Sequence, residues 1–404
     1  FKSGSGLSLM AAFFLQVDNL TANYIIYLDT KPLIGEFGWT RAVASGSMST
    51  VKGISGLVGI IMGRLTDKYG VRRIIVIGAV LGGLGYLLMS RAGSLWQLYL
   101  FFGISVGASL GCCWTPINAT VSKWFVEKRV LALGIINSGI SVGQMFLPPI
   151  VASYIVGNGW RPAYIMLAII VWVVTVPAMM LLGRNPPQGV GVLHHGRSAR
   201  DSAEVKAGEP IQPREWTAKQ ATKTAQFWML TITGFVLAAG CYFIAVHIVA
   251  CATDLGITTT SAALILTCVS VGNILGKLLV WPIAVRIGTR FTLFLFLALQ
   301  ALALVLLTQA TSLWMFFILG SAFGFGNGAC IPTRMSMISE FFGVRSIGTI
   351  MGIVTIGWAG GAMAGPVLAG YIFDVSRSYD IAFLVGGLIT VAGMVAVYFL
   401  KTPE

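Results

Sequence analysis

Few side chains in this sequence could perform chemistry, because almost its whole length is apolar. Six ionisable residues stand inside long apolar runs: Asp18, Asp29, Lys52, His247, Lys277 and Arg334. If these runs cross a membrane, a lysine at the centre of one costs about 2.5–3.5 kcal/mol, so each such residue is a functional-site candidate by default. Lysine and arginine could bind an anion there, and a carboxylate or histidine could carry a proton.

The acidic and basic members of this set could act together. Asp18 and Asp29 are 11 residues apart, close to three helical turns, so they share one helix face. Either is a candidate proton-coupling carboxylate, and Asp29 could instead pair with Lys31 or cap a helix end. Lys52 is either the partner of one of them in an internal ion pair or a second anchor for an anion. Arg334 could join the same network.

The composition excludes a soluble protein. Hydrophobic residues make up 56% of the 404 residues and charged residues only 10%, whereas a soluble domain has about 25% charged residues. The mean hydropathy is +0.84, and 49 glycines suit the close packing of membrane helices. A cytosolic enzyme, a secreted domain and a nucleic-acid-binding protein are excluded, despite a net charge of +13. The six cysteines form no CxxC pair, so neither a disulfide framework nor a metal site is indicated.

Twelve apolar runs are long enough to cross a bilayer as helices, since a span needs about 20 residues. They lie at 7–34, 41–63, 71–91, 94–123, 130–157, 160–183, 225–254, 259–286, 291–309, 312–341, 346–373 and 379–400. The segment between the sixth and seventh holds 11 charged residues in 41 and four prolines, which is typical of a solvated linker. We expect an all-α membrane protein with an N-terminal six-helix half (1–183), a cytoplasmic linker (184–224) with a short surface helix near 213–223, and a C-terminal six-helix half (225–404).

The basic residues indicate the orientation. With both termini in the cytoplasm, most of the 27 Lys and Arg residues fall on the cytoplasmic side, as the positive-inside rule requires. We expect an integral protein of a bacterial inner (plasma) membrane, surrounded by lipid and without a nucleic-acid partner. The first apolar run is too long for a cleavable signal peptide, and further spans follow it.

The two groups of six spans repeat one another. Matching residues lie 216 or 218 positions apart: Pro116 with Pro332, Phe125 with Phe341, Arg129 with Arg345, Lys68 with Arg286, Gly70 with Gly288, and Arg72 with Arg290. Two six-helix halves in the same orientation are parallel repeats, an architecture of secondary transporters.

The segment from residue 63 to residue 73, GRLTDKYGVRR, lies between the second and third spans. It resembles the signature G-x-x-x-D-R/K-x-G-x-R-R/K of the major facilitator superfamily. We interpret five of its residues as a conformational latch: Gly63, Asp67, Lys68, Gly70 and Arg72. Asp67 at a helix end would pair with a nearby basic residue and hold the two half-bundles together, while the glycines permit close packing and a tight turn. The second-half copy has Trp281 and Val285 at the glycine and acidic positions, so it lacks the carboxylate.

Shorter motifs resemble the monocarboxylate and oxalate–formate transporter branch of that superfamily. They are EFGWTR at 36–41, WFVEKR at 124–129, VHI at 246–248 followed by ATDLG at 252–256, and GNILGK at 272–277. The resemblance covers nearly the whole chain except the linker. It implies that position 277 holds the cation that binds a substrate carboxylate, and family members usually carry arginine there.

Several residues are candidates for the substrate site. Lys277 either binds the carboxylate, as the resemblance implies, or is a snorkelling lysine or part of an internal ion pair. Asn273, one turn earlier, either donates to the same carboxylate or bridges helices. His247 could bind a hydroxyl or keto group of the substrate, carry a proton, or be an ordinary buried histidine. The other candidate cavity residues are Asn118, Tyr24, Tyr27 and Trp358, and for the aromatic ones packing is the alternative.

We therefore expect a secondary active transporter of small monocarboxylates such as lactate or pyruvate, which works by proton symport with alternating access. It would need no cofactor besides the coupling proton, and we expect it to function as a monomer. The alternative is an organic anion antiporter of the oxalate–formate type, in which a dianion engages Lys277 together with Lys52 or Arg334. The twelve-span repeat argues against a channel or receptor, and no catalytic motif indicates an enzyme.

Overall fold

The computed structural model describes residues 6–17, 36–37, 41–181, 215–376 and 379–401, and these ranges contain helices and no strand. Nine of the helices in these ranges are long and apolar enough to cross a membrane. We number the long helices in chain order: α1 Gly6–Val17, α2 Arg41–Tyr69, α3 Val71–Met89, α4 Leu95–Trp124, α5 Arg129–Asn158, α6 Trp160–Leu181, α7 Ala225–Asp254, α8 Thr259–Ile287, α9 Thr289–Leu307, α10 Leu313–Phe342, α11 Ile347–Ser376 and α12 Tyr379–Tyr398.

The helix bounds follow the apolar runs closely. α7 begins and ends at the predicted residues, 225 and 254. α2 differs, because it continues beyond the predicted end at residue 63 as far as Tyr69. Most of the latch motif therefore belongs to a helix rather than to a loop. α4 contains a π-helical stretch, Leu98–Val106, which the hydrophobic pattern does not reveal.

Two glycines make equivalent turns in the two halves. Gly70, between α2 and α3, has a φ angle of 84°, and Gly288, between α8 and α9, has a φ angle of 81°. Residues with a Cβ atom rarely adopt this conformation. The repeat seen in the sequence thus produces the same tight turn at the same place in each half.

The loops between the helices lie at the two ends of the bundle. We call the end with residues 124–129, 215–224 and 342–347 the linker face, and the opposite end, with residues 90–94 and 255–258, the far face. Near the predicted surface helix at 213–223, the structure has a single helical turn, Ala218–Ala221. Residues 182–214 lie outside the described ranges, so the proposed domain limits stay a prediction.

Buried apolar side chains of the described residues form three clusters. One lies at the linker face and joins both halves, with Phe125 from the first half and Phe227 and Ile350 from the second. The other two lie toward the far face, and each belongs to one half, around Tyr164 in the first and Phe316 in the second. The halves thus share a core at the linker face and pack separately toward the far face.

The branch motif after α1 is attached to α6 at the far face. The Glu36 carboxylate accepts hydrogen bonds from the Trp160 indole at 2.8 Å and from the Arg161 guanidinium at 3.0 Å. These two donors hold the pKa of Glu36 below its ordinary value. The contact ties the segment between α1 and α2 to the first half.

Glycines let α8 and α10 pack backbone against backbone. A methyl group at Gly276 would overlap the carbonyl oxygen of Phe325, and a methyl group at Gly328 would overlap that of Asn273. Small residues allow such close approach, which lets van der Waals contact hold helices together where lipid offers no hydrophobic driving force. This packing fixes the position of α8 relative to α10.

Replacing Gly276 by Ala is expected to destabilise the protein by about 1–3 kcal/mol, because the added methyl group forces α8 and α10 apart. Gly157→Ala is the matched control, because no heavy atom lies within 4 Å of the Cβ position at residue 157. Thermal unfolding in detergent, followed by circular dichroism, measures both effects. Equal melting temperatures for the two variants would contradict the tight packing at Gly276.

Candidate substrate site and gate

Lys277 is buried where the two halves meet, with 2% of the residue exposed. Its ammonium nitrogen donates to the backbone carbonyl of Asn137 at 3.0 Å and to the Ser141 hydroxyl at 2.8 Å. Both acceptors belong to α5, so this α8 residue bridges the halves. Lys277 is ten residues from the end of α8, about 15 Å at a helical rise of about 1.5 Å per residue. The ammonium group therefore ends inside the bundle and not at a membrane surface.

Asn273 meets the same serine as Lys277. The Ser141 hydroxyl donates to the Asn273 side-chain oxygen at 2.9 Å, and the Asn273 amide nitrogen donates to the Asn327 side-chain oxygen at 3.1 Å. The structure thus brings Lys277 and Asn273, both predicted for the substrate site, together through one hydroxyl group.

Asn118 belongs to the same network on the side of the first half. The Asn137 amide nitrogen donates to the Asn118 side-chain oxygen at 2.9 Å, and the Asn118 amide nitrogen donates to the Trp114 carbonyl at 2.8 Å. Since the carbonyl of Asn137 accepts from Lys277, hydrogen bonds connect α4, α5, α8 and α10. Such connected polar groups hold one another in fixed orientations.

Trp358 stacks on Trp114 across the two halves. Their ring centroids are 6.4 Å apart and the planes are inclined by 24°. Trp114 lies ten residues from the linker-face end of α4 and Trp358 eleven from that end of α11, so both are near the depth of Lys277. The tryptophan pair and the Lys277 network therefore form one layer across the interface, which we call the central layer.

Lys52 lies on the far-face side of the central layer, 17 residues from the linker-face end of α2. It is partly exposed. The Cys241 thiol on α7 is within electrostatic range of both the Lys52 and the Lys277 ammonium groups. The structure thus places two cations in the same central region of the bundle.

Several predicted residues cannot be placed. Asp18, Tyr24, Tyr27 and Asp29 lie outside the described residues, as does the side chain of His247, and their roles stay predictions. The last described residue of α1 is Val17, which directly precedes Asp18 in the chain. A methyl group at Gly143 would lie 2.7 Å from the Val17 carbonyl oxygen, so α1 packs closely on α5 at this point.

Arg334 is buried inside the second half. It is 1% exposed, and its guanidinium donates to the Leu230 carbonyl of α7 at 3.2 Å. The guanidinium lies against Leu230 and Gly234 of α7. Within the described residues, no hydrogen bond joins it to the central layer.

Asp67 lies at the linker-face end of α2 and caps the start of α11. One carboxylate oxygen accepts from the Lys123 ammonium at 2.9 Å and from the Gly348 N–H at 3.1 Å. The other accepts from the Thr349 N–H at 2.9 Å and from its hydroxyl at 3.0 Å. A carboxylate is favoured at a helix N-terminus. Asp67 and its basic partner Lys123 belong to the first half, so these bonds to α11 link the halves at the linker face.

The other latch residues surround this contact. A methyl group at Gly63 would overlap the carbonyl oxygen of Gly348, so the glycine is what lets α2 cross α11 so closely. Lys68 is exposed, and its ammonium lies 5.0 Å from the centre of the neighbouring tyrosine ring. The Arg72 guanidinium lies 3.5 Å from the Met180 carbonyl at the end of α6. Gly70 makes the turn already described.

Sequence reasoning missed the partners of the predicted residues: Lys123, Asn137, Ser141, Asn327 and Thr349. Serine and threonine are frequent in membrane helices, and an asparagine there does not by its type reveal which helix it bonds to. One signal was present, because residues 137 and 141 are four apart and therefore lie on the same helix face. Lys123 is 56 residues from Asp67, beyond the reach of a local motif.

The described contacts close the bundle at one end. The inter-half hydrogen bonds named above lie between the central layer and the linker face, where the two halves also share an apolar cluster. Toward the far face the clusters are separate. Among the described residues, the halves are therefore joined most firmly between the central layer and the linker face, and the packing of Gly53 against Met363 continues past the central layer toward the far face.

Comparison with known proteins gives the family. The sequence matches the profile of the Major Facilitator Superfamily over residues 9–250 and 242–404. Monocarboxylate transporter 12 of Rattus norvegicus is 27% identical over 349 residues, which cover 82% of this chain and 71% of the relative. Monocarboxylate transporter 2 of Homo sapiens is 26% identical over 351 residues, with 82% and 71% covered.

Solved structures of other proteins share the fold of this chain. A variant of the fucose:proton symporter FucP of E. coli superposes with a TM-score of 0.74 at 16% sequence identity and covers 99% of both chains. FucP in an outward conformation gives a TM-score of 0.74 at 17% identity, with 98% of this chain and 99% of the other covered. These neighbours share the fold, and they confirm the expected all-α architecture of twelve transmembrane helices in two six-helix halves. The protein is an integral membrane transporter and not an enzyme, and it belongs to the Major Facilitator Superfamily, where it groups with proteins named monocarboxylate transporters.

Proposed function

We propose that this protein carries small monocarboxylates such as lactate or pyruvate by proton symport, with the carboxylate bound at Lys277. The observation that carries the proposal is the buried Lys277 ammonium in the central layer. An ammonium group has three N–H donors, and two of them are engaged by Asn137 and Ser141. No described residue accepts from the third, and we propose that it binds the carboxylate of the substrate. The names of the similar proteins support a monocarboxylate as the substrate class.

A carboxylate that enters this site loses its water of hydration, and a fixed cation must replace it. Asn273 and the Ser141 hydroxyl lie beside the ammonium and supply further polar contacts. A carboxylate at Lys277 competes with the α5 acceptors for the same ammonium. Substrate binding then weakens a contact between the halves, which is the coupling that alternating access requires.

By the positive-inside rule we infer that the linker face and both termini lie in the cytoplasm. The arrangement described here, closed at the linker face, is then the outward-facing state, and the substrate enters from outside. A bacterial inner membrane, a functional monomer and the absence of a cofactor are parts of the same proposal.

The proton balances the charge of the substrate. A monocarboxylate and a proton cross together without net charge, so the membrane potential does not oppose transport of the pair. Asp18, Asp29 and His247 are the proposed proton carriers. Lys52 is proposed as the internal partner of one of the two carboxylates.

Proteoliposomes with an interior one pH unit more alkaline than the outside should accumulate labelled lactate up to about tenfold, because one pH unit stores about 1.4 kcal/mol per proton. A protonophore should abolish the accumulation without changing the final equilibration. Vesicles without the protein are the control. Lactate uptake that only equilibrates under the gradient would exclude symport.

The second candidate is an antiporter for organic dianions. The observation that favours it is the presence of two cations, Lys52 and Lys277, both within electrostatic range of Cys241, because a dianion is better balanced by two positive charges. Such a carrier would take up labelled oxalate only into vesicles that already contain a carboxylate. An imposed pH gradient would not change the oxalate uptake of the antiporter, whereas it would drive lactate uptake by the symporter.

A further inference from the structure

The Arg334 guanidinium is a buried cation that the proposed site at Lys277 does not use. One nitrogen donates to the Leu230 carbonyl at 3.2 Å. Its Nε atom is buried and has no hydrogen-bond partner among the described residues. The salt bridges within the described ranges join Lys123 to Asp67 and Arg161 to Glu36, so none of the described carboxylates pairs with Arg334.

A guanidinium group stays charged in proteins, and a buried charge is costly unless it is paired. A neutral carbonyl satisfies one of its five donors and does not balance its charge. Intramembrane charges are rare, and they mark binding sites and ion pathways. Arg334 therefore needs an anion in at least one state of the transport cycle.

Helix α7 has a glycine where it faces the Arg334 guanidinium. A Cβ atom at Gly234 of α7 would lie 2.7 Å from one terminal nitrogen of Arg334 and 3.0 Å from the central carbon of its guanidinium. Glycine at 234 leaves the space that the guanidinium occupies. The guanidinium therefore packs directly against the backbone of α7 at this glycine.

Arg334 lies on the linker-face side of the tryptophan pair. Its partner Leu230 is only five residues from the start of α7 at the linker face. The next residue, Thr231, touches Gly357, since a methyl group at Gly357 would overlap the Thr231 carbonyl oxygen. Gly357 directly precedes Trp358, which stacks across the interface.

The two halves carry different side chains at the position of Arg334. Asn118 and Arg334 each stand two residues after a helix proline, at equivalent places in α4 and α10. The Asn118 side chain accepts from Asn137 and donates to Trp114. At the matching position the second half carries a cation, whose Nε atom has no hydrogen-bond partner among the described residues.

We propose that Arg334 is a second anion site, which receives the carboxylate of the substrate when the bundle opens at the linker face. The carboxylate moves from Lys277 past the tryptophan pair to Arg334 before it leaves, and an entering carboxylate takes the reverse path. This inference rests on the proposed carboxylate transport. It predicts that Arg334 matters for substrate presented at one face only.

The test is sided transport in membrane vesicles of both orientations, with labelled lactate. For Arg334→Gln, the half-saturating concentration should rise at least about tenfold when lactate is presented at the linker face, since hydrogen bonds to a charged partner are lost. It should stay within about twofold of the unsubstituted protein when lactate is presented at the far face. Arg334→Lys keeps the charge and should restore part of the effect.

Gly234→Ala provides a second variant that keeps the arginine but displaces its guanidinium, and it should show the same sided effect. If Arg334→Gln does not fold, Gly234→Ala decides the question alone. An equal change at both faces, or no change at either, would overturn the second site while carboxylate transport stands. Absence of lactate uptake by the unsubstituted protein at either face would overturn the proposed function, and the inference with it.

Discussion

Replacing Lys277 by Gln is expected to raise the dissociation constant for lactate at least about a hundredfold. The substitution removes the cation opposite a buried carboxylate, which costs about 3–5 kcal/mol, and each 1.4 kcal/mol is a factor of ten in affinity. Equilibrium dialysis of labelled lactate against the purified protein in lipid nanodiscs measures the change. Thermal unfolding of Lys277→Gln and of the unsubstituted protein is the control. Equal melting temperatures would show that the variant has lost binding and not folding.

Two further variants separate the charge of Lys277 from its contacts with α5. Lys277→Arg keeps a cation and should bind lactate within about tenfold of the unsubstituted protein. Ser141→Ala removes one acceptor of the ammonium but leaves the charge, so the dissociation constant should change only a few-fold. Near-normal binding by Lys277→Gln would remove this residue from the substrate site.

Replacing Asp67 by Ala is expected to shift the protein toward the state that is open at the linker face. The change removes the three hydrogen bonds by which Asp67 caps α11 across the halves, worth about 2 kcal/mol, or roughly thirtyfold in the equilibrium between states. The ion pair with Lys123 is lost as well, but it lies within the first half and does not bear on that equilibrium. Spin labels at the exposed residues Glu127 and Arg345 report the separation of the halves. Their distance distribution should gain a longer component.

Glu36 offers a matched control for this experiment. Its carboxylate also accepts two side-chain hydrogen bonds, but its described partners, Trp160 and Arg161, belong to the same half and lie at the far face. Glu36→Gln should therefore leave the distance distribution unchanged. If Asp67→Ala and Glu36→Gln gave the same distribution, the latch interpretation of Asp67 would be wrong.

The bundle could be predicted from the sequence because length and hydropathy constrain membrane helices strongly. Apolar runs of about 20 residues bounded by charges and glycines leave little freedom, and α7 ends where its run ends. The extension of α2 to Tyr69 was missed because its last turns are polar, although they remain helical. The π-helical stretch in α4 depends on packing and has no periodic pattern that a sequence would display.

The candidate site could be predicted only in part. An intramembrane charge such as Lys277 stands out because it is costly, and the structure places it at the interface between the halves. Its acceptors could not be identified, because which helix faces α8 is a property of the tertiary packing. The same holds for Asp67, whose sequence motif gives no indication that Thr349, 282 residues later, supplies two of its hydrogen bonds.

The glycine contacts between α8 and α10 bear on how reversible the carrier is. Because these helices touch backbone to backbone, they cannot slide past each other, and Lys277, Asn273 and Asn327 keep their mutual geometry as the halves tilt. Both membrane faces then meet the same rigid half-site. A difference in affinity between the faces has to come from the other half, through Asn137 and Ser141, or from Arg334. A carrier built this way runs in either direction, and under the proposed symport the gradients of substrate and proton decide which.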